Sequence, residues 1–209
     1  MLYALARPLL FALDPETAHH VVLGIADAAH AAGLSRFRKK SPAVAVRAMG
    51  LEFSNPVGLA AGLDKQAEHL DSLAALGFGF IELGGVTPRP QPGNPPPRLF
   101  RIPQARALIN RFGLNSVGIE TFVSNLSRFR KTCVLGVNVG KNKDTPNERT
   151  ADDYVQCLEA LYPYVDYVSL NVSSPNTAGM RDLQEADSLV PLLSRLIRKI
   201  GRASCRERV

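Results

Sequence analysis

The sequence predicts an α/β fold: a (β/α)8 TIM barrel truncated after about four strands, with a short N-terminal helical extension. Three observations carry this. From about residue 44, short apolar runs alternate with helical periodicities, which implies a parallel sheet with helical crossovers. No G-x-G-x-x-G follows the first run, so a dinucleotide-binding open sheet lacks its best signal. Instead, polar residues gather just after each run, at Asp64 and Lys65, Thr87, Asn138, then Asn171 and Ser174. A barrel builds its active site at that end of its strands. A whole barrel takes about 250 residues, and this chain of 209 supplies four strands.

Residues 1–40 read as helical. Leu2, Leu5, Leu9 and Leu13 form one apolar stripe. Asp14-Pro15-Glu16 is a helix start, because Asp14 can accept from an orphan amide and Pro15 suits the first helical position. Ala18, Val21, Val22, Ile25 and Ala29 form a second stripe, and Gly33 is a plausible stop. Periodicity favours two short helices packed on the main domain; the alternative is a pair whose apolar faces admit a lipid-like molecule. The strands are Val57–Ala60, Phe80–Leu83, Val134–Val137 and Tyr167–Leu170. Helical patterns fall at 66–77, 116–130, 151–163 and from about 182. The stretch 88–103 carries seven prolines and cannot be a helix or a central strand. It reads as a rigid loop, and loops of that length often shape a site.

Composition narrows the function. With 45% hydrophobic and 21% charged residues, the chain is ordinary globular protein. No apolar run reaches the roughly eighteen residues of a membrane-spanning helix, and the N-terminus lacks a signal-peptide pattern. Cys133, Cys157 and Cys205 are sparse and without metal-ligand spacing, which suits a reducing compartment. His19 and His20 are adjacent on a helix and point to different faces, and no metal site is expected. The formal charge of +6 does not signal nucleic acid. The last nine residues contribute +2 of it, and much of the rest lies in Arg36, Arg38, Lys39 and Lys40. Such a cluster is a solvated face or, beside an amphipathic segment, a contact for anionic lipid.

The strand ends carry the chemistry. Ala60, Ala61, Gly62 and Leu63 let backbone approach a flat ligand, and Lys65 beside Asp64 can hold an anion. Asn110, Arg111, Phe112, Gly113, Leu114 and Asn115 suit a planar ligand with several carbonyl groups. Asn138 and Asn171 leave consecutive strands at matching places, which suggests one shared polar ligand. Ser174 could serve as nucleophile or base, but no His/Asp arrangement supports a hydrolase triad. As isolated strings, these segments also read as a surface lysine, a helix cap and a Ser174-Pro175-Asn176 turn.

Together, NPVGLAAGLDK, GVTPRPQPGN, PRLFR, LINRFG, GVNVGKNKDTP and LNVSSPNTAG resemble, in order and spacing, the class 2 dihydroorotate dehydrogenases. The resemblance runs to about residue 196, and LFALDPETAHH looks like the extension of that class. It implies an FMN-bound barrel oxidising dihydroorotate to orotate in pyrimidine synthesis, with ubiquinone entering between the N-terminal helices. By position, Ala61, Gly62, Leu63, Asp64, Lys65, Gly85, Asn138 and Asn171 should hold FMN. Lys65, Asn110, Arg111, Phe112, Gly113, Leu114, Asn171 and Asn176 should hold dihydroorotate or orotate. Ser174 matches the catalytic base, where class 1 enzymes place cysteine. One departure is Gly85, where the family usually has a threonine; a backbone contact survives there and a hydroxyl contact does not. The implied setting is a monomer on the cytoplasmic side of a bacterial inner membrane, bound peripherally.

The expected organisation is a quinone- and membrane-binding extension at 1–40, the first half of the barrel at 41–199, and a non-native tail at 200–209. The tail, GRASCRERV after Ile200, does not resemble the family, and its back-translation is compatible with a sequencing adapter. The rival readings are a class 1 or dihydropyrimidine-type flavin barrel, a non-enzymatic membrane-surface protein, and an inactive truncated fragment. A half barrel would leave two sheet edges unpaired. The 209-residue chain alone is therefore expected to be insoluble or flavin-free. Expression followed by size-exclusion chromatography and a visible spectrum checks this, and a yellow, monodisperse protein would refute it.

Overall fold

A computed structural model describes residues 2–37, 44–174 and 179–206. Its centre is a four-stranded parallel sheet of β3 (Gly58–Leu59), β4 (Phe80–Val86), β7 (Val134–Val139) and β8 (Tyr167–Leu170), in that order. These are the four strands expected, with β4 and β7 longer. Helices follow as α3 (Leu70–Ala74), α4 (Ile119–Leu126), α5 (Thr150–Leu161) and α6 (Ala186–Arg206). Each lies within or close to its expected span. The basic residues Arg38, Lys39 and Lys40 lie outside the described residues.

The sheet works by alternation. Ile81, Leu83 and Val86 on β4, with Leu135, Val137 and Val139 on β7, are all but fully buried. They form one cluster with Ile119, Phe122 and Leu126 of α4 and with Tyr154, Cys157, Leu158 and Leu161 of α5. Each such side chain contributes about 1.5–3 kcal/mol by leaving water. Cys157 is thus a small core residue, while Cys133 is half-buried. The intervening positions, Glu82, Asn138 and Ser169, point to the other face. Gly136 makes room there, since a methyl group on it would lie 2.1 Å from the Tyr167 ring.

Two hairpins were not legible beforehand. β1 (Val46–Ala48) and β2 (Leu51–Phe53) pair antiparallel around Met49 and Gly50, both at positive φ (51° and 77°). Such a turn matches the twist of a two-residue hairpin. Phe53 packs edge-on against Phe80, the first residue of β4, with ring centroids 5.3 Å apart. The hairpin therefore lies at the end of the sheet opposite Lys65 and Asn138. β5 (Leu99–Ile102) leaves the proline-rich stretch and pairs with β6 (Ala107–Asn110).

The N-terminal helices are α1 (Leu2–Ala12) and α2 (Pro15–Ala31). Asp14 caps α2 as expected, accepting from the Glu16 and Thr17 amides at 3.0 and 3.1 Å, and Gly33 ends it at φ 75°. Apart from Ala18, the described residues of the apolar stripes pack little on the domain. Leu5, Leu9 and Ile25 are 75%, 74% and 62% exposed, and Val21 and Val22 are also exposed. The face of α2 toward the protein carries Ala18 and Leu23 together with Glu16, His19 and Asp27. Asp27 accepts from Ser72 Oγ and pairs with His69 Nδ1, both at 2.6 Å. Periodicity locates an apolar face without saying what it meets, and here polar ties hold the other side.

Two glycines separate packing from propensity. A methyl group on Gly79 would lie 1.9 Å from the Asn55 carbonyl oxygen, which cannot give way, whereas Gly24 in α2 has nothing within 4 Å. In the full-length protein, Gly79→Ala is expected to cost at least about 2 kcal/mol, and Gly24→Ala to stabilise by about 0.5–1 kcal/mol. Urea denaturation midpoints check both.

Candidate active site

The loop after β3 is held by backbone bonds. Gly62 N–H donates to Gly84 O at 2.9 Å, and Gly84 N–H donates to Asp64 O at 3.2 Å. The buried Asp64 carboxylate accepts from the Gln66, Glu68 and His69 amides at 3.3, 3.1 and 2.9 Å. It is therefore turned into its own loop, and the sequence-based assignment of Asp64 to a ligand rests on its backbone.

Lys65 is the next residue. Its ammonium donates to Asn115 Oδ1 at 3.0 Å and lies 4.0 Å from the centroid of the Phe112 ring. Arg98 sits over the same ring at 5.2 Å. Burial pushes the Lys65 pKa down to about 8, and the Arg98 charge pushes the same way; Glu16 opposes them. These groups line a cavity of about 480 Å³ with Leu59 to Gln66, His19, His20 and His69.

A second cluster adjoins it. Asn171 Nδ2 donates to Asn138 Oδ1 at 3.3 Å, and Asn138 Nδ2 donates to Glu82 Oε1 at 3.4 Å. The second oxygen of Glu82 accepts from Tyr167 OH at 3.1 Å and Ser169 Oγ at 3.0 Å. An ionised carboxylate only accepts, so Glu82 fixes which way the Asn138 amide points. Asn171 is pinned further, because its N–H donates to Val139 O at 2.8 Å and its carbonyl accepts from Tyr154 OH at 2.7 Å. Gly85 faces this pair: a Cβ there would lie 3.0 Å from Leu114 and 3.1 Å from Asn138 Oδ1. The Gly84–Gly85 peptide is cis.

The sequence-predicted residues are therefore brought together in two neighbouring groups. Ala61, Gly62, Leu63, Asp64, Lys65 and Phe112 form the first, and Gly85, Leu114, Asn138 and Asn171 the second. Gly113 (φ 73°) packs against Asn94. Asn110 and Arg111 are exposed, and the Arg111 guanidinium donates to Pro97 O at 3.0 and 2.9 Å. Neither lines the Lys65 cavity. Ser174 is half-buried on the loop leaving β8, three residues after Asn171. Asn176 lies outside the described residues. Thr87 proves to be scaffold: it is fully buried, and its hydroxyl donates to Arg89 O at 2.8 Å. Lys141, in the same motif as Asn138, is buried with its ammonium on Thr145 O at 2.8 Å. Sequence reasoning missed Glu82, Tyr167, Ser169 and Arg98. The signal for the first three was Tyr167 and Ser169 at alternate positions of β8 and a lone carboxylate, Glu82, inside the otherwise apolar β4.

A larger cavity, about 960 Å³, lies between α1, α2 and the β5–β6 hairpin. Tyr3, Leu10, Phe11, Val22 and Ile102 give it a mainly apolar wall, with Arg7, Arg101 and Arg106 among the polar lining. It shares His19, Leu23, Leu63 and Leu99 with the Lys65 cavity.

Residues 43–203 match the family model described as dihydroorotate dehydrogenase. The chain belongs to the dihydroorotate dehydrogenase family. The dihydroorotate dehydrogenase (quinone) of Marinobacter nauticus is 55% identical over 99% of this chain and 61% of its own length. That of Nitrosospira multiformis is 57% identical over 94% of this chain and 56% of its own. The chain thus spans about three-fifths of the curated relatives it matches. Among solved structures, the Eimeria tenella dihydroorotate dehydrogenase in complex with ferulenol superposes with a TM-score of 0.78 at 38% identity, covering 90% of this chain and 52% of that one.

Within this dihydroorotate dehydrogenase segment, Glu82 is the common acceptor of three donors. Glu82→Leu in the full-length protein would leave Tyr167, Ser169 and Asn138 without it. The expected cost is about 2 kcal/mol or more, against about 1 kcal/mol for Ser169→Ala, read from denaturant midpoints.

Proposed function

We propose that this chain is the N-terminal part of a quinone-reducing dihydroorotate dehydrogenase, an FMN-dependent (β/α)8 barrel that oxidises dihydroorotate to orotate in pyrimidine synthesis. One observation carries the reading. A cavity with a desolvated lysine and a larger apolar cavity stand on two sides of one wall, made of His19, Leu23, Leu63 and Leu99. A reaction that moves electrons from a small anion to a hydrophobic acceptor needs two such sites close together.

The residues fit a flavin. Gly85 leaves open a space that a Cβ would crowd, beside the Asn138 and Asn171 amides, and the Gly62 to Lys65 loop is laced to Gly84. Ala61, Gly62, Leu63, Asp64, Lys65, Gly85, Asn138 and Asn171 would hold FMN. Bound there, FMN supplies hydride acceptance and onward transfer of electrons. The chain's own part is orientation and proton transfer. Lys65 holds the substrate carboxylate, with Phe112 and Asn115 fixing its ammonium. Gly113, Leu114, Asn171 and Asn176 are proposed as the further substrate contacts, whereas Asn110 and Arg111, exposed and outside the Lys65 cavity, draw no such support from the geometry. Ser174 Oγ takes the C5 proton, and the site must activate it, because a free serine is a weak base.

Ubiquinone is assigned to the cavity under α1 and α2. The exposed Leu5, Leu9, Val21 and Ile25 would rest on lipid, which suits a peripheral protein on the cytoplasmic side of an inner membrane, working as a monomer. Among the described residues no helix is long and apolar enough to cross a membrane.

The test uses the full-length, flavin-loaded protein. Ser174→Ala should lower kcat by about 10²–10⁴-fold while leaving the FMN content, read from visible absorbance, unchanged. Retained activity, or absence of FMN in the wild type, would overturn the assignment. Lys65→Met should weaken orotate binding by about 10- to 100-fold below pH 8, measured by calorimetry. An ammonium binds a carboxylate only while protonated, so wild-type affinity should be full below about 8 and fall as pH rises through it.

A further inference from the structure

Glu16 lies in the first turn of α2, which places it on the N-terminal helical unit and not on the sheet. Its carboxylate is gripped by Arg98, with Nε at 3.1 and 3.0 Å from the two oxygens and Nη2 at 2.6 Å. Arg98 and Glu16 are only 14% and 22% exposed, so this is not a loose surface pair. Nη1 of Arg98 donates to Pro92 O and Asn94 O at 2.8 and 3.1 Å, which fixes the guanidinium within the proline-rich loop. Arg98 and Lys65 then share the Phe112 ring, at 5.2 and 4.0 Å.

Two cations on one ring repel each other, and the carboxylate on Arg98 offsets that repulsion. Without Glu16, Arg98 would be left with its charge unpaired beside the lysine and free to shift its contact with Phe112. We propose that Glu16 is a positioning residue for Lys65, acting through Arg98 and Phe112, and that it couples the seating of the N-terminal helices to anion binding. The proposal rests on the reading of Lys65 as the group that holds the substrate carboxylate.

The charges around Lys65 agree in sign. Arg98 disfavours its protonated form, and Glu16 favours it. The other titratable groups on the cavity wall are His19 and His20 of α2, Asp64 and Glu68 of the loop, and His69 beside α3. The Asp64 carboxylate is occupied by three amides, and burial together with the neighbouring positive groups lowers the His19 pKa. Comparison with K65M assigns the Lys65 share of the alkaline limb of a binding profile.

The experiment is orotate affinity by calorimetry from about pH 6.5 to about 9.5, on flavin-loaded full-length wild type, E16Q, E16D, R98Q, E16Q/R98Q and K65M. E16Q should move the alkaline midpoint down and R98Q should move it up, each by about half a pH unit. The double variant should return toward wild type, and E16D should stay near it. A merely structural pair would instead lower affinity at every pH in both single variants. Midpoints that do not move, or that move the same way in E16Q and R98Q, overturn the proposal. A K65M protein that keeps the alkaline limb overturns the reading of Lys65 itself, and the proposal with it.

Discussion

Ile81, Leu83 and Val86 on β4 and Leu135, Val137 and Val139 on β7 turn the same way and bury themselves with the inner faces of α4 and α5. The rest of the site depends on that burial. A strand has a period of two, so committing one set of residues to the helices commits the alternate set to the opposite face. Glu82, Asn138 and Ser169 are that alternate set. Their polar contacts exist because the strands are locked in register by aliphatic packing on the far side. A slip of one residue would bury the carboxylate in the core and turn the leucines toward the polar face.

The same logic explains what was readable in advance. Four parallel strands and their helices stood out because the apolar runs are continuous and lie between periodic segments. Lys65, Phe112, Asn138 and Asn171 stood out because each follows a strand or sits in a distinctive string. The β1–β2 and β5–β6 hairpins did not, since strands of three or four residues carry too little alternation, and proline masked the second. Arg98 was hidden for a different reason. Its partners Glu16 and Phe112 are 82 and 14 positions away, and nothing local marks a buried ion pair. The inner face of α2 was partly hidden because, beside the buried Ala18 and Leu23, its contacts through Glu16 and Asp27 are polar.

The α2 helix is a joint between the two cavities. Its His19 and Leu23 belong to both walls, and its Glu16 reaches the ring on which Lys65 rests. Arg101 adds a second hold by donating to Leu13 O and Leu10 O at 2.8 and 3.2 Å, satisfying carbonyls at the end of α1. One stretch of chain around β5 thus supplies the cation that shares the Phe112 ring with Lys65 and the cation that closes the helical corner. The Lys65 side and the apolar side are built from the same few residues, which ties their geometries together.

The helices α1 and α2 are held by polar ties across a cavity, with little side-chain packing beneath α1. Lifting them would expose new apolar surface chiefly around Ala18 and Leu23, because much of the rest already faces the cavity or the solvent. Such an opening has a small dependence on denaturant concentration, since that dependence scales with the area newly exposed. It would instead depend on the Arg98–Glu16 pair and on the hydrogen bond between His69 and Asp27. Opening of the N-terminal unit would therefore be governed chiefly by these polar contacts, while the sheet beneath it unfolds according to its hydrophobic burial.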